Sequence, residues 1–504
     1  MATLTRKDFV RILRRFADSP DDVLDDRADI TCVINGQELS VRLSERDDVL
    51  MCQEDGGSVQ RARTWIEKRL ARLDLLAQKI LDAVKFDKHF VDVGAMHESP
   101  SDESQREESV TESLFNRLMS GSCYSSEIIY ILSEAGDGKS EIMNRLAYRM
   151  ACQYKETGSG PLFLPVSLDG RPFLRIDDLV IGMLANQFRF RYCYFEAIIE
   201  LVKMGSLVLG LDGFEEMVVE GKEERVISSL GELLKEFESV GRVVISARRA
   251  FYEYALKNQL PLLESIQDMR VDCDAYRLAQ WAQAEFVELL KTYSVLNSKA
   301  SEIYEALQQR LKPDHPILVR PVLARHLVDM LSAEVKDDGK WESVLRELNA
   351  DRNPQTVMSE FVDLLVRREA NSKWLVTSGP TQGRPILAVA EHMAILRAIT
   401  EDMWLSSVEF VKQDYLQDWI ELICSDLRKN PSETHDAREK ILHHAMLLRD
   451  GDKYVFCHEA FRKFFLGQDI ADYIVKQVGG YRIERVLSQD VLDFSVVEGI
   501  AYVV

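Results

Sequence analysis

No run of about 18 or more apolar residues occurs in the sequence, so a membrane-spanning helix is not expected. The eight cysteines are scattered, with no C-x-x-C pair and no Cys/His cluster at zinc spacing. That argues against a zinc module and for reduced, buried thiols. The opening stretch, MATLTRKDFVRILRRF, is basic and amphipathic but lacks the apolar core and small-residue cleavage site of a secretory leader. A packed helix in a cytoplasmic protein is the expectation. Positive charge is also short: 63 Lys and Arg stand against 83 Asp and Glu, a net charge of −20. A body of that sign repels phosphate backbones, which argues against nucleic acid as the main partner. The basic stretch from Arg61 to Arg72 is the local exception.

What is present falls into segments. A chain of 504 residues has room for roughly three domains of ~150 residues each. Residues 1–95 read as a small α+β domain that matches no nameable type. DITCVINGQELSVRLS alternates like a hairpin with Asn35-Gly36 as its turn. RARTWIEKRLARLDLLAQKILDAV predicts one long amphipathic helix, with Trp65, Leu73, Leu76, Ile80 and Val84 on a shared face. Residues 96–112, which include SPSDESQREESV, are polar and acidic and read as a linker. From 113 to 275, apolar runs such as EIIYILS, PLFLPVSL, SLVLGLDG and RVVISAR alternate with helical segments. Continuous apolar strands between helices imply a parallel sheet covered on both faces. Beyond 275 the pattern is nearly all helical, and no internal repeat is apparent.

The stretch IIYILSEAGDGKSEIM, residues 128–143, nearly spells the phosphate loop G-x-x-x-x-G-K-S/T, with Ser133 in place of the first glycine. It follows a strand and opens a helix, as that loop requires. Backbone N–H groups from Glu134 to Ser140 would curl around a β-phosphate at a helix N-terminus. Gly136 and Gly138 supply conformations that a side chain forbids, Lys139 places an ammonium on the β/γ-phosphates, and the Ser140 hydroxyl is a Mg2+ ligand. The candidate nucleotide-binding set is Ala135, Gly136, Asp137, Gly138, Lys139, Ser140 and Glu141. A second apolar strand, SLVLGLDGFEEM, ends in Asp212, placed to hold the Mg2+ shell; Glu215 or Glu216 just beyond is placed to polarise an attacking water. A third, RVVISARRAF, ends in Ser246, Arg248 and Arg249, where a cation senses a γ-phosphate. The residues alone leave open which arginine does so.

These residues resemble the NACHT family within the STAND class of signalling P-loop ATPases. SEAGDGKS is similar to its G-x-A-G-x-G-K-S loop; LGLDGFEEM is similar to its D-G-L/F-D-E strand end, with Glu215 where the family has Asp. VISARR stands for T-S-R-P, with Arg248 at the arginine and Arg249 replacing the proline. ILVRPVLARHLVDML looks like the motif whose proline, here Pro321, packs near adenine. YVFCHEAFRKFFLGQDIA resembles F-x-H-x-x-F-x-E-Y/F-F, whose histidine, here His458, touches the β-phosphate of ADP; Lys463 replaces the usual Glu.

The resemblance implies an ATPase with a parallel five-stranded sheet of the ASCE type over 113–275. It also implies a helical domain over 276–338, a winged-helix-like domain over 339–475 and a C-terminal segment over 476–504, with residues 1–95 as an effector or adaptor. ATP, ADP and Mg2+ are the implied cofactors, with Glu216, Glu215 and Arg248 serving hydrolysis. The implied function is a slow regulatory switch, closed with ADP and open with ATP, that self-associates on ATP binding under a trigger ligand or partner protein, in anti-phage innate immunity. Two other readings are an AAA+-like helper acting on DNA and a nucleotide-locked scaffold without turnover. No N-K-x-D motif is visible, which argues against guanine specificity.

Overall fold

The structure, a computed structural model, describes residues 4–476 and 499–500, apart from 27–28, 100–104, 121–124, 134–136, 169–174, 215–222, 239, 254–270, 310, 312–314, 337–340, 343–358, 360–361, 364–365, 368, 377–382, 407, 409, 445, 451 and 457–458.

Helix α1 (Arg6–Phe16) starts at a capping box: the Thr5 hydroxyl accepts from the Asp8 amide, and the Asp8 carboxylate accepts from the Thr5 amide. Its buried face is Phe9, Val10, Ile12, Leu13 and Phe16. An antiparallel sheet follows in sequential order, β1 (Leu24–Asp25), β2 (Asp29–Ile34), β3 (Gln37–Arg46), β4 (Val49–Glu54) and β5 (Gln60–Arg61). Asn35 and Gly36 form the expected hairpin turn, with φ of 52° and 71°. The single long helix expected next is instead two. Helix α2 (Ala62–Trp65) runs into a wide turn over Ile66–Leu70, Arg72 takes a left-handed φ of 50°, and α3 (Leu73–Ala83) begins afresh. The wide turn carries Glu67 to the body, where its carboxylate accepts from the Ser206 hydroxyl at 2.6 Å and from Arg63 at 2.9 Å. The predicted apolar face is buried all the same, from Trp65 to Val84.

The central sheet has seven strands in the order β7-β6-β12-β8-β11-β10-β9. These are β6 (Ala95–Glu98), β7 (Gln105–Glu107), β8 (Ser126–Ser133), β9 (Leu162–Ser167), β10 (Leu207–Asp212), β11 (Gly241–Arg248) and β12 (Val271–Leu278). The five strands from β12 to β9 are mutually parallel, and β11 lies between β8 and β10. The expectation of a purely parallel five-stranded sheet is corrected here: β6 joins β12 antiparallel and β7 joins β6 antiparallel, so the sheet is mixed. Both added strands come from the end of the N-terminal unit and the stretch read as a linker. Their polarity is no obstacle, because charge partners meet them: Arg277 holds Glu98 at 2.6 Å, and His97 stacks on Tyr276 at 4.5 Å.

Helices α4 (Val110–Met119), α5 (Lys139–Thr157), α6 (Ile176–Asn186), α7 (Phe195–Lys203) and α8 (Glu223–Glu236) alternate with these strands. β8 is buried at every residue, as a central strand covered on both faces should be. Pro165 is tolerated in β9 because that strand is an edge. Beyond the sheet come α9 (Gln283–Thr292), α10 (Ala300–Gln308) and α11 (Pro321–Lys336). Then α12 (Val389–Leu405), β13 (Val411–Lys412), α13 (Gln413–Asp426), α14 (Pro431–Ile441), β14 (Leu447–Asp450), β15 (Lys453–Phe456) and α15 (Glu459–Lys476) build a body around an antiparallel sheet of order β13-β15-β14. Among the described residues, no helix is long and apolar enough to cross a membrane.

Gly210, in the middle of β10, marks how tightly α5 and β9 close on the sheet. A Cβ there would stand 2.3 Å from the Phe163 ring and 3.0 Å from the Met143 methyl. Gly210→Ala is therefore expected to cost about 1–3 kcal/mol through overpacking, read as a lower urea midpoint with an unchanged slope.

Candidate nucleotide site

β8, β11 and β10 end side by side, with Ser133 in register with Arg248 and Leu211 with Ile245. The carboxyl ends of parallel strands are where α/β sheets bind ligands. β8 delivers the chain to Ser133, and the loop is described again from Asp137. Gly138 caps α5 with a φ of 95°, a left-handed conformation that favours glycine. Lys139 is the first helical residue. Its ammonium donates to the Ser133 carbonyl at 3.1 Å and approaches the Ser133 hydroxyl at 3.3 Å. The residue that departs from the loop's usual glycine thus gives the lysine an additional oxygen partner. Ser140 is exposed in the first turn of α5.

On the far side of β11, Asp212 closes β10. Its carboxylate accepts from the Ser246 hydroxyl, which itself accepts from the Gly213 N–H at 2.9 Å. Ser246 is fully buried, so this chain of bonds fixes one carboxylate oxygen by a group that water does not reach. Among the described residues, no group of three or more His, Cys, Asp or Glu side chains is placed to hold a metal by itself. Mg2+ in phosphoryl chemistry takes one or two protein oxygens and fills the rest of its shell with water and phosphate. The Ser140 hydroxyl and the Asp212 carboxylate are donors of that kind.

Two of the expected site residues, Arg248 and Glu141, meet partners within the chain. Arg248 is only 7% exposed, and its guanidinium donates to the carbonyls of His443 at 3.2 Å, Leu447 at 3.3 Å and His444 at 3.4 Å. The Glu141 carboxylate accepts from the Asp87 N–H at 2.8 Å and pairs with Arg145 at 3.5 Å. Burial pushes the Glu141 carboxyl up from its ordinary value, and the Asp87 amide opposes that. Pro321 stands half-buried at the start of α11. Ala135, Gly136, Glu215, Glu216 and His458 lie outside the described residues.

No family model matches the chain. An uncharacterised WD repeat-containing protein of Nostoc sp. is 27% identical over 147 residues, 28% of this chain. The chain spans about a tenth of the length of that curated relative, since the match covers 10% of it. Among solved structures, an ORC2 protein of Aeropyrum pernix in ADPNP–ADP complexes aligns with a TM-score of 0.36 and 13% identity, over 78% of this chain and 93% of that one. A Drosophila ORC bound to DNA gives 0.33 and 12% over 78% and 91%, and a Cdc6p of Pyrobaculum aerophilum gives 0.30 and 13% over 71% and 93%. These overlaps are loose. The P-loop layout rests on the chain's own strand order, with β11 between the loop strand and the Asp212 strand, together with helical bodies downstream.

Two buried histidines lie at the turn that receives Arg248, His444 on the turn itself and His392 on α12. His444 Nδ1 accepts from the Met446 N–H at 3.2 Å, which puts the ring proton on Nε2. Among the described residues, that Nε2 and both ring nitrogens of His392 are buried without a hydrogen-bond partner, and the two rings lie 5.6 Å apart beside Trp374. Burial and then the Arg248 charge push His444 down to about 3; burial and then His444 push His392 down to about 3, with Glu369 opposing. Both folded values lie below the unfolded value of about 6.5. Stability is therefore full above about pH 6.5 and is lost as pH falls from there toward 3, at up to about 1.4 kcal/mol per pH unit for each ring. Urea midpoints compared at about pH 7.5 and about pH 5 should show the loss, and His392→Phe should remove its share.

Proposed function

We propose that the chain is a nucleotide-controlled switch of the NACHT/STAND kind, which binds ATP or ADP with Mg2+ and hydrolyses ATP slowly. The observation that carries this reading is Arg248. It ends the strand beside the phosphate-loop strand, opposite Ser133, and it grips the 443–447 turn of the C-terminal body through three carbonyls. A γ-phosphate drawing that guanidinium toward the loop would weaken its hold on the turn, because the two acceptors compete for one set of N–H groups. Binding chemistry at the strand ends is thereby linked to the packing of a distant body. A ligand shifts such an equilibrium only by its differential affinity for the two states, so a trigger ligand or partner protein assists ATP.

In this reading Gly136, Gly138 and Lys139 hold the phosphates, Ser140 and Asp212 the Mg2+, and Glu216 or Glu215 the attacking water. Pro321 packs by the adenine and His458 by the ADP β-phosphate. The order helix, strand, helix, helix and hairpin over 389–456 supports a winged-helix body. Release of that body from the sheet exposes surface for self-association, and the output is defence signalling. A helper acting on DNA uses the same sheet; ATP turnover stimulated by DNA and steeply dependent on salt would favour it.

Two measurements test the switch. Lys139→Ala should abolish binding of fluorescent ADP and ATP, and wild-type affinity in that variant would remove the loop from the site. Particle mass with ADP, ATP and a slowly hydrolysed ATP analogue should rise with the triphosphates alone; one mass under all three conditions would leave a scaffold, not a switch.

A further inference from the structure

We infer that Asp87, on the strap between the N-terminal unit and the sheet, is a positioning residue that sets the spacing between the phosphate end and the adenine end of the nucleotide cleft. The inference rests on the nucleotide reading above and extends it to the N-terminal unit, for which that reading supplies no role. Every polar atom of Asp87 is engaged. Its N–H donates to Glu141 Oε1 at 2.8 Å, and its carbonyl accepts from Arg145. Carboxylate Oδ1 accepts from the His89 N–H at 2.9 Å, which folds the strap back on itself, and Oδ2 meets Arg325 at 2.5 Å.

The partners belong to two elements. Glu141 and Arg145 lie on the first two turns of α5, immediately after Lys139 and Ser140. Arg325 lies one turn after Pro321 on α11, the helix assigned to the adenine side. One side chain and its own backbone therefore span the two jaws of the cleft.

The neighbouring residues fix the strap on α5 and, by way of the end of α9, on α11. Phe86 and Phe90 cover the Arg145 guanidinium from centroid distances of 4.5 and 4.4 Å, which holds the α5 side. His89 stacks on Tyr293, just past α9, at 3.8 Å and 11°. Its Nδ1 lies 2.8 Å from the Thr292 hydroxyl, which already donates to the Leu289 carbonyl, so His89 is the donor. Tyr293 donates to Asp329, and Asp329 pairs with Arg325 at 3.0 Å, which closes the circuit back to Asp87. Such a closed set of bonds transmits a shift of α11 to the chain leading out of α3, and so to the N-terminal unit.

The test is a double-mutant cycle on the full chain, read as the dissociation rate of fluorescent ribose-labelled ADP with Mg2+. Asp87→Asn keeps both backbone bonds and the bend at His89 but removes the charge facing Arg325. Arg325→Gln removes the other half, and Arg325→Lys is the conservative control. Each charge-removing variant should release ADP about three- to tenfold faster, with its association rate and melting temperature near wild type. The double variant should be no faster than the worse single one, and Arg325→Lys should recover most of the loss. Rates within about twofold of wild type in both single variants, or effects that multiply in the double, would overturn the assignment. If the wild-type chain held no nucleotide at all, the site reading itself would fall, and the assignment with it.

Discussion

The parallel register of β8, β11 and β10 is the constraint on which the rest depends. Because β11 lies between the other two, Ser246 reaches Asp212 on one side, while Arg248 ends level with Ser133 on the other. Shifting β11 by one residue would turn both side chains to the opposite face and break both relations together. The apolar runs of the three strands, buried along nearly their whole length, fix that register, so the geometry of the cleft is a consequence of core packing. The placement of the strand ends and hydrophobic order share one cause here.

Much of this was legible in the residues. The loop from Ser133 to Ser140 and the strands ending at Asp212 and Arg248 follow from apolar runs punctuated by glycine and charge, and the structure sets these strands in one sheet. The hairpin at Asn35-Gly36 is equally local in origin, since two adjacent left-handed residues demand that dipeptide. The remaining elements depend on partners far away in sequence. The strands at 95–98 and 105–107 are polar and short, and they form only because β12 offers an edge with Arg277 waiting on it. The wide turn at 66–70 answers a serine some 139 positions later, as the separation of Glu67 and Ser206 records.

Arg248 shows a different limit. Its motif identifies a cation at a strand end but says nothing of which acceptors surround it, and backbone carbonyls leave no trace in side-chain patterns. Asp87 gave no sign at all. A lone aspartate in KFDKHF looks like any solvated turn, and its bonds to Glu141 and Arg325 come from two helices far apart in sequence. Sites made from main-chain groups and single salt links are invisible to pattern reading for this physical reason.

The two margins of the seven-stranded sheet bear on how copies of the molecule meet. One margin is β7, three residues long and reading Gln105-Arg106-Glu107; the other is β9, where Pro165 withholds an N–H. A short charged border and a border with a missing donor both resist the addition of a foreign strand. Assembly by continuous β-augmentation from one copy to the next is thereby discouraged.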